Sequence, residues 1–565
     1  MKGNLFINRH TLLNRVKVRG TALKSTGRSY AGMKGEYDVV IIGGGMGGLS
    51  CGAWLAHHGM KVAVIEQNEQ VGGFCSSYER NGFNFTLAAS EVTGTTENGL
   101  ITRTIKALGI EDAIEFIPLE QGYHVHFPDF NYYIYSGGGD ARERFMEQFI
   151  KLFPGEATGI RSFFDILVKL NEQADYATFL GTGLGDVARI LFKCSSVVKN
   201  MSKGIVPFMD NFVSDPRLKA ALSINSTCAN LPPSKMSVMG IAGLLIEGGL
   251  SIPHVKGGVQ AVPEAFAKSV RDHGGEVFTG KLVEKILVDN KGACGVRLVS
   301  SPLSGPSGDG AKKEAPIEIK ARYVVSNASA RQTFHTLLEK SQVGESYLAK
   351  LGKLDLTPPF CALFLGLDMD LVERGLVPAL HIHSSTYDTE QYFSNPKSPL
   401  LNEDEPDPFF RFQLANLSDP ASAPPGKTAL VIHIIPAPVG GWEDPDFEKR
   451  VVDNMIKRAE RKIPGLSKHI EYQEFWSPRT IDKYVMSGED ASIGWALTPT
   501  QVGPKRLAQE TPVQNLFLSG HWTRPALGII ATVISGLQSA RVILRKEGVS
   551  EPLSDLGVRK GVYAP

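Results

Sequence analysis

The chain has 565 residues, 42% of them hydrophobic and 21% charged, with 60 basic against 59 acidic side chains and a formal net charge of +1. That length exceeds what one hydrophobic core supports, so more than one core is expected, and the balanced charge excludes a global attraction to nucleic acid. Cys51, Cys75, Cys194, Cys228, Cys294 and Cys361 form no C-x-x-C pair, which argues against a zinc ribbon or disulfide framework, and no apolar run is long enough to span a bilayer.

Residues 1–35 stand apart, because Lys2, Arg9, Arg15, Lys17, Arg19, Lys24, Arg28 and Lys34 occur there without a single acid. Two readings are open: a transit peptide to a plastid or mitochondrion, or a mobile basic arm on a cytoplasmic or membrane-peripheral protein.

Tyr37–Ile42, YDVVII, is an apolar run suited to a parallel strand covered on both faces. It breaks into a G-x-G-x-x-G turn at Gly43, Gly45 and Gly48, followed by helical apolar spacing to Gly59 and a second strand, Lys61–Ile65, that ends on Glu66. This order makes a complete dinucleotide-binding βαβ unit. Gly43 permits the tight turn, Gly45 lets the backbone approach a pyrophosphate, Gly48 lets the helix pack close, and Glu66 accepts hydrogen bonds from a ribose.

After Glu66, the stretch EQNEQVGGFCSSYERNGFNF carries Gly72-Gly73 and then an aromatic turn. Here the sequence resembles the FAD superfamily of amine oxidases, phytoene desaturases, carotenoid isomerases and retinol saturases. Thr86 stands where that family has an aspartate, and Phe74 where it often has an arginine. Further blocks fit the resemblance. Pro253–Gly258 leads into a helix expected over Val262–Asp272, followed by a strand over Val283–Val288. ARYVVSNAS carries the Val324-Val325 strand. NLFLSGHWTRPALGIIATVISG carries a strand at Leu516–Leu518, a stop at Gly520 and a helix from near Gly528. The resemblance implies that the backbone at Val283 meets the adenine and that the amides at Gly528 and Ile529 face the pyrimidine end of the flavin.

The implied fold is α/β, a discontinuous Rossmann-like FAD-binding domain with a second, mixed-sheet α+β substrate domain. The FAD domain is expected over 36–130, 251–340 and 501–548, the substrate domain over 131–250 and 341–500, and a tail over 549–565. The implied cofactor is FAD, with NAD(P)H or a quinone visiting as transient electron partner because no second nucleotide fingerprint is present. The implied partner is a hydrophobic isoprenoid; the implied reaction is desaturation, saturation or isomerisation of a carotenoid-like or retinoid-like polyene. Oxidation of an amine on the same scaffold, and a non-catalytic escort of prenylated GTPases, are the alternatives. Glu91, His521, Trp522 and Arg524 are expected at the flavin face, Glu91 or His521 to exchange a proton and Arg524 to stabilise negative charge.

Three other signals are weaker. Gly181-Thr182-Gly183-Leu184-Gly185 has no strand before it and reads as a turn. His124 with His126, and His381 with His383, each share a strand face, but neither pair has a third ligand nearby in sequence, so no metal is expected. Ala177–Val213 mixes apolar residues with Arg189, Lys193, Lys199 and Lys203, a pattern of either a membrane-interface segment or a core helix with a solvated edge.

Overall fold

The computed structural model describes residues 36–556, apart from 89–91, 137–139, 179, 181–183, 248–251, 304–314, 395–408, 415–418, 492 and 551. The basic N-terminal stretch, Glu91 and Gly181–Gly183 of the supposed turn therefore lie outside the described residues. In chain order the strands are β1 Tyr37–Ile42, β2 Val62–Ile65, β3 Ser77–Arg80, β4 Phe83–Thr86, β5 Phe116–Ile117, β6 Gln121–His126, β7 Asn131–Tyr135, β8 His254–Val255 and β9 Glu276–Phe278. They continue as β10 Lys281–Asp289, β11 Gly292–Ser300, β12 Ile317–Ser326, β13 Cys361–Leu367, β14 Leu380–His383, β15 Phe410–Leu414, β16 Thr428–Ile434, β17 Ile470–Trp476 and β18 Leu516–Leu518.

The first sheet joins three distant parts of the sequence. Its parallel core runs β18, β12, β1, β2, β9, with Val40 opposite Val324 and Ala63, and Val325 opposite Phe517. Strands of this kind are covered on both faces, which is why YDVVII and VAVI read as unbroken apolar runs. β12 outlasts its neighbours: its first half pairs antiparallel with β11, which pairs with β10, and only its second half enters the parallel core.

Helices Met46–His57, Ala261–Asp272 and Ile529–Lys546 cover one face, burying Leu49, Trp54, Phe266, Val533 and Leu537 against Val39, Ile41, Val62 and Val64. Two of these helices touch through glycine. A Cβ on Gly536 would stand 2.4 Å from the Gly47 carbonyl oxygen and 2.0 Å from Ser50 Oγ. The opposite face packs Val40, Ile42, Ala63 and Ile65 against Ile286, Val296, Phe334 and Trp495.

The second sheet runs β17, β13, β16, β15, β14, β6, β7, antiparallel except between β14 and β6. β6 lies here, so the chain passes from one sheet to the other before Gln121, earlier than the boundary at 130 that the sequence suggests. Helix Pro445–Lys462, capped by Asp444 accepting from the Asp446 amide, covers the outer face through Phe447, Val451, Met455 and Ala459. The inner face is covered at the β13–β16 end by the β3–β4 hairpin and at the β14–β6–β7 end by a helical layer drawn from residues 141–246. A cavity lies between the two sheets' facing sides.

Candidate active site

The glycine turn closes as the spacing requires. Gly43 sits at φ +93°, its amide donating to the Ile65 carbonyl at 2.8 Å, and a Cβ on Gly48 would fall 2.2 Å from the Gly43 carbonyl oxygen. Gly72, at φ +124°, donates to the Gly44 carbonyl at 2.8 Å, so the second glycine pair lies along the first. The start of helix Met46–His57 thus faces a cleft floored by backbone, where its first amides have no intrahelical partner.

Glu66 is buried at the end of β2. One carboxylate oxygen accepts from the Gly44 amide at 2.7 Å, and the other accepts from the Asn68 amide and Asn68 Nδ2, each at 2.8 Å. Burial pushes its carboxyl above the ordinary range, opposed by these donors. The Gln67 backbone also bonds this carboxylate, which sits at the end of β2 where a ribose would lie. Val283, at the bulge of β10, lines the same end of the cavity, as do Gly43, Gly45, Gly72 and Gly73.

The other loop arrives on β18. Ser519 Oγ donates to the Gly47 carbonyl at 2.8 Å, and Ser535 Oγ accepts from the Gly520 amide at 3.0 Å, tying the β18 turn to both flanking helices. Gly528, at φ +96°, caps helix Ile529–Lys546, whose first turn opens on the cavity beside Thr532.

His521 faces the cavity, its Nε2 buried and without a partner among the described residues. Burial, reinforced by the neighbouring Arg506 cation, drives its pKa down to about 3, so the ring is neutral near pH 7. Arg524 is not brought to the cavity: its Nη2 donates to the Pro504 carbonyl and its Nε to the Arg506 carbonyl. Trp522 is buried edge-to-face against Trp495, their centroids 4.9 Å apart. The cation behind this turn is Arg506, which is 1% exposed and donates to the carbonyls of Thr523, Trp495 and His521 at 2.8, 3.1 and 2.6 Å.

Sequence reasoning also missed three residues on the cavity. Asn327, just past β12, packs against the glycine turn so closely that a Cβ on Gly45 would lie 2.8 Å from its Nδ2 and one on Gly520 2.3 Å from its Oδ1. The signal was present in ARYVVSNAS, an asparagine directly after a buried strand. Arg411 on β15 and His433 on β16 are cross-strand partners that line the far end. Burial, then the Arg411 charge, lowers the His433 pKa to about 3; neither ring nitrogen has a well-aligned hydrogen bond among the described residues, with the Leu87 backbone close by. An aromatic line leads there from the β18 turn: His521 to Phe74, Phe74 to Phe360 and Phe360 to His433, each at 6.1 Å between centroids.

The residues present fit an FAD. A backbone-lined cleft at a helix start suits the pyrophosphate, Glu66 suits the ribose, the Ile529 helix end suits an electron-rich ring edge, and the Nε2 of His521 is a buried polar atom in need of a partner.

Comparison with known proteins agrees. Residues 46–544 match the family described as flavin containing amine oxidoreductase. Prolycopene isomerase, chloroplastic, of Daucus carota is 26% identical over 569 residues, covering 96% of this chain and 85% of that protein. The zeta-carotene-forming phytoene desaturase of Myxococcus xanthus is 26% identical over 523 residues, covering 88% and 92%. Among solved structures, an oxidoreductase from Methanosarcina mazei aligns with a TM-score of 0.55 at 17% identity, over 90% of this chain and all of that one. Putrescine oxidase bound to putrescine aligns at 0.56 and 13%, covering 90% and 99%. These likenesses carry the fold, and the family match carries more: the chain belongs to the flavin-containing amine oxidoreductases and is an FAD-dependent oxidoreductase.

Proposed function

We propose that this enzyme acts on the carbon–carbon double bonds of a long apolar polyene, carotenoid-like or retinoid-like, by desaturation, saturation or isomerisation. The observation that carries the reading is the character of the cavity beyond the β18 turn. Ala88, Phe74, Phe360, Ile435 and Leu527 supply apolar lining, and the charged side chain at that end is Arg411. Among the described lining residues the one acid, Glu66, sits at the nucleotide end, away from the apolar end where a protonated amine would have to lie. The carotenoid-acting relatives support the same substrate class.

When bound, the flavin supplies two-electron exchange with a substrate carbon. The chain's residues do the remainder. Gly43, Gly45, Gly48, Gly72, Gly73, Glu66 and Val283 would hold the nucleotide, and the amides at Gly528 and Ile529 would stabilise negative charge on the reduced ring. His521 offers a neutral imidazole Nε2, and Arg506 fixes the His521–Thr523 backbone that carries it. Phe74 and Phe360 align a planar conjugated chain, excluding water from its reacting carbons.

Peripheral membrane contact forms part of this proposal. No helix among the described residues is long and apolar enough to cross a membrane. Yet Phe192 is 87% exposed and Leu191 59%, with Val187, Val198 and Val206 also exposed among Arg189, Lys193, Lys199 and Lys203. The inner side of this helical layer packs against Ala526 and Leu527 beside the cavity, a short path for a lipid-dissolved substrate. Sedimentation with anionic vesicles at low salt should carry the protein down; retention in the supernatant would remove this element of the reading.

The reaction is tested by anaerobic mixing with a carotenoid-like polyene. A desaturase bleaches oxidised flavin; a saturase re-oxidises pre-reduced flavin with loss of one conjugated double bond; an isomerase requires reduced flavin and shows no net electron uptake. Bleaching by amines alone would overturn the polyene assignment and leave the flavoenzyme assignment standing.

A further inference from the structure

We propose that His124, His126 and His381 form a binding site for a borderline divalent transition-metal ion such as Zn2+, on the face of the second sheet turned away from the flavin cavity. Neither histidine pair reads as a site by itself; the parallel pairing of β6 with β14 creates the set. His381 lies opposite His124 and His383 opposite His126, and because side chains alternate along a strand all four imidazoles project from one face. The register with β15 identifies that face: His381 pairs with Phe412 of the outer core, whereas Arg411 and Gln413 point to the inner side.

A ligating nitrogen of each of His124, His126 and His381 lies within 4.8 Å of the other two. Nδ1 of His124 and Nε2 of His126 are buried without a hydrogen-bond partner among the described residues, the condition that a bound ion relieves. The third ligand is oriented from behind. His381 Nε2 lies 2.8 Å from the Val377 carbonyl, which fixes the proton on that nitrogen and leaves the Nδ1 lone pair free, an arrangement that holds many metal-binding imidazoles in place. His124 Nε2 likewise approaches Asn131 Oδ1 at 3.4 Å.

The rings are also held by packing. His124 stacks on Tyr133 at 4.2 Å and His381 on Phe412 at 4.7 Å. Three imidazoles and no carboxylate make a donor set for Zn2+, Co2+, Ni2+ or Cu2+ and a poor one for Ca2+ or Mg2+, which take oxygen ligands. Lys462, at the end of the helix covering the outer face, opposes a cation here through its charge on His126. The bland alternative is a stack of neutral rings that only packs, and it binds nothing.

The test is titration of the full-length, flavin-loaded protein, stripped of metal, with Zn2+ against a chromophoric competitor and with Co2+ in the visible region. One equivalent of Zn2+ and the absorption bands of nitrogen-ligated Co2+ are expected, with no competition from Ca2+ or Mg2+. His126→Ala should weaken Zn2+ binding by more than about 10-fold, the loss that even an outer-shell partner can cause. His381→Phe, which preserves a ring against Phe412, should do the same, and Lys462→Met should tighten binding. An unchanged flavin spectrum reports the fold of each variant. Absence of Zn2+ uptake, or uptake that His126→Ala and His381→Phe leave intact, would overturn the site. Because the sheet separates this cluster from the cavity, either result is independent of the polyene reaction.

Discussion

The nucleotide end of the cavity and its far end differ in how the chain builds them. At the nucleotide end the strand, turn, helix and second strand are contiguous over Tyr37–Ile65, and the ligand surface is mostly backbone, so glycine positions carry the chemistry. At the far end, Arg411 and His433 come from separate strands and Phe360 from just before β13, so they approach only through sheet register, and the surface is made of side chains. Backbone cradles tolerate almost no added atom, whereas side-chain walls can be rebuilt while the fold persists. This is how one scaffold can keep a cofactor and change substrate.

The strongest way to break that contrast is to add one methyl group to the cradle. Gly48→Ala places a Cβ against the Gly43 carbonyl oxygen, where the backbone itself must move. A loss of about 1–3 kcal/mol, toward the upper limit, is expected in denaturant unfolding, with reduced flavin content. Gly155→Ala, whose Cβ meets open space, should stay within about 0.5 kcal/mol of the parent. Equal effects at the two positions would show that the turn is not the constrained element.

Glu66→Ala should weaken FAD retention by about 1.5–3 kcal/mol, the range for hydrogen bonds to a charged group, and it also strips the Gly44 and Asn68 amides of their acceptor. FAD titration of the apoprotein by fluorescence measures this, and an unchanged affinity would mean that Glu66 serves only its own loop.

At the far end the probe is pH. His433, 4% exposed, has a pKa near 3 when folded against an ordinary value of 6.5. Between those values the unfolded chain binds the extra proton, so stability rises with pH across the window and is lost as pH falls from 6.5 toward 3. The slope from one such group is about 1.4 kcal/mol per pH unit, and His433→Leu should remove that component from the stability profile while the flavin stays bound. An unaltered slope would show that the group does not titrate this way. Smallest of all is Phe192→Ser: the side chain is already in water, so stability should change by less than about 0.5 kcal/mol while vesicle sedimentation falls. Undiminished sedimentation would place the membrane contact elsewhere.

The same contrast explains what could be read from the sequence. β1, β2 and β18, and the helices at Met46, Ala261 and Ile529, follow from local runs of apolar residues punctuated by glycine, and the structure places them within three residues of the expected bounds. The choice of Arg524 rested on nearness in sequence to Gly520, but its guanidinium turns toward Pro504, and Arg506 arrives behind the turn from the preceding segment. His433 gave no usable signal, and although each histidine pair of β6 and β14 read as sharing one strand face, their meeting across the two strands did not, because strand order and register are long-range outcomes that no local pattern encodes. Asn327 lay between these extremes: the strand before it was legible, and its packing against Gly43, Gly45, Gly47, Gly48 and Gly520 was not.

The most direct test of the account is the visible absorption spectrum of the purified protein, followed by acid precipitation. The glycine cradle predicts oxidised-flavin bands and the release of all the FAD into the acid supernatant, since no His or Cys lies in a recognisable attachment motif. A correctly folded, colourless preparation that takes up no added FAD would contradict it.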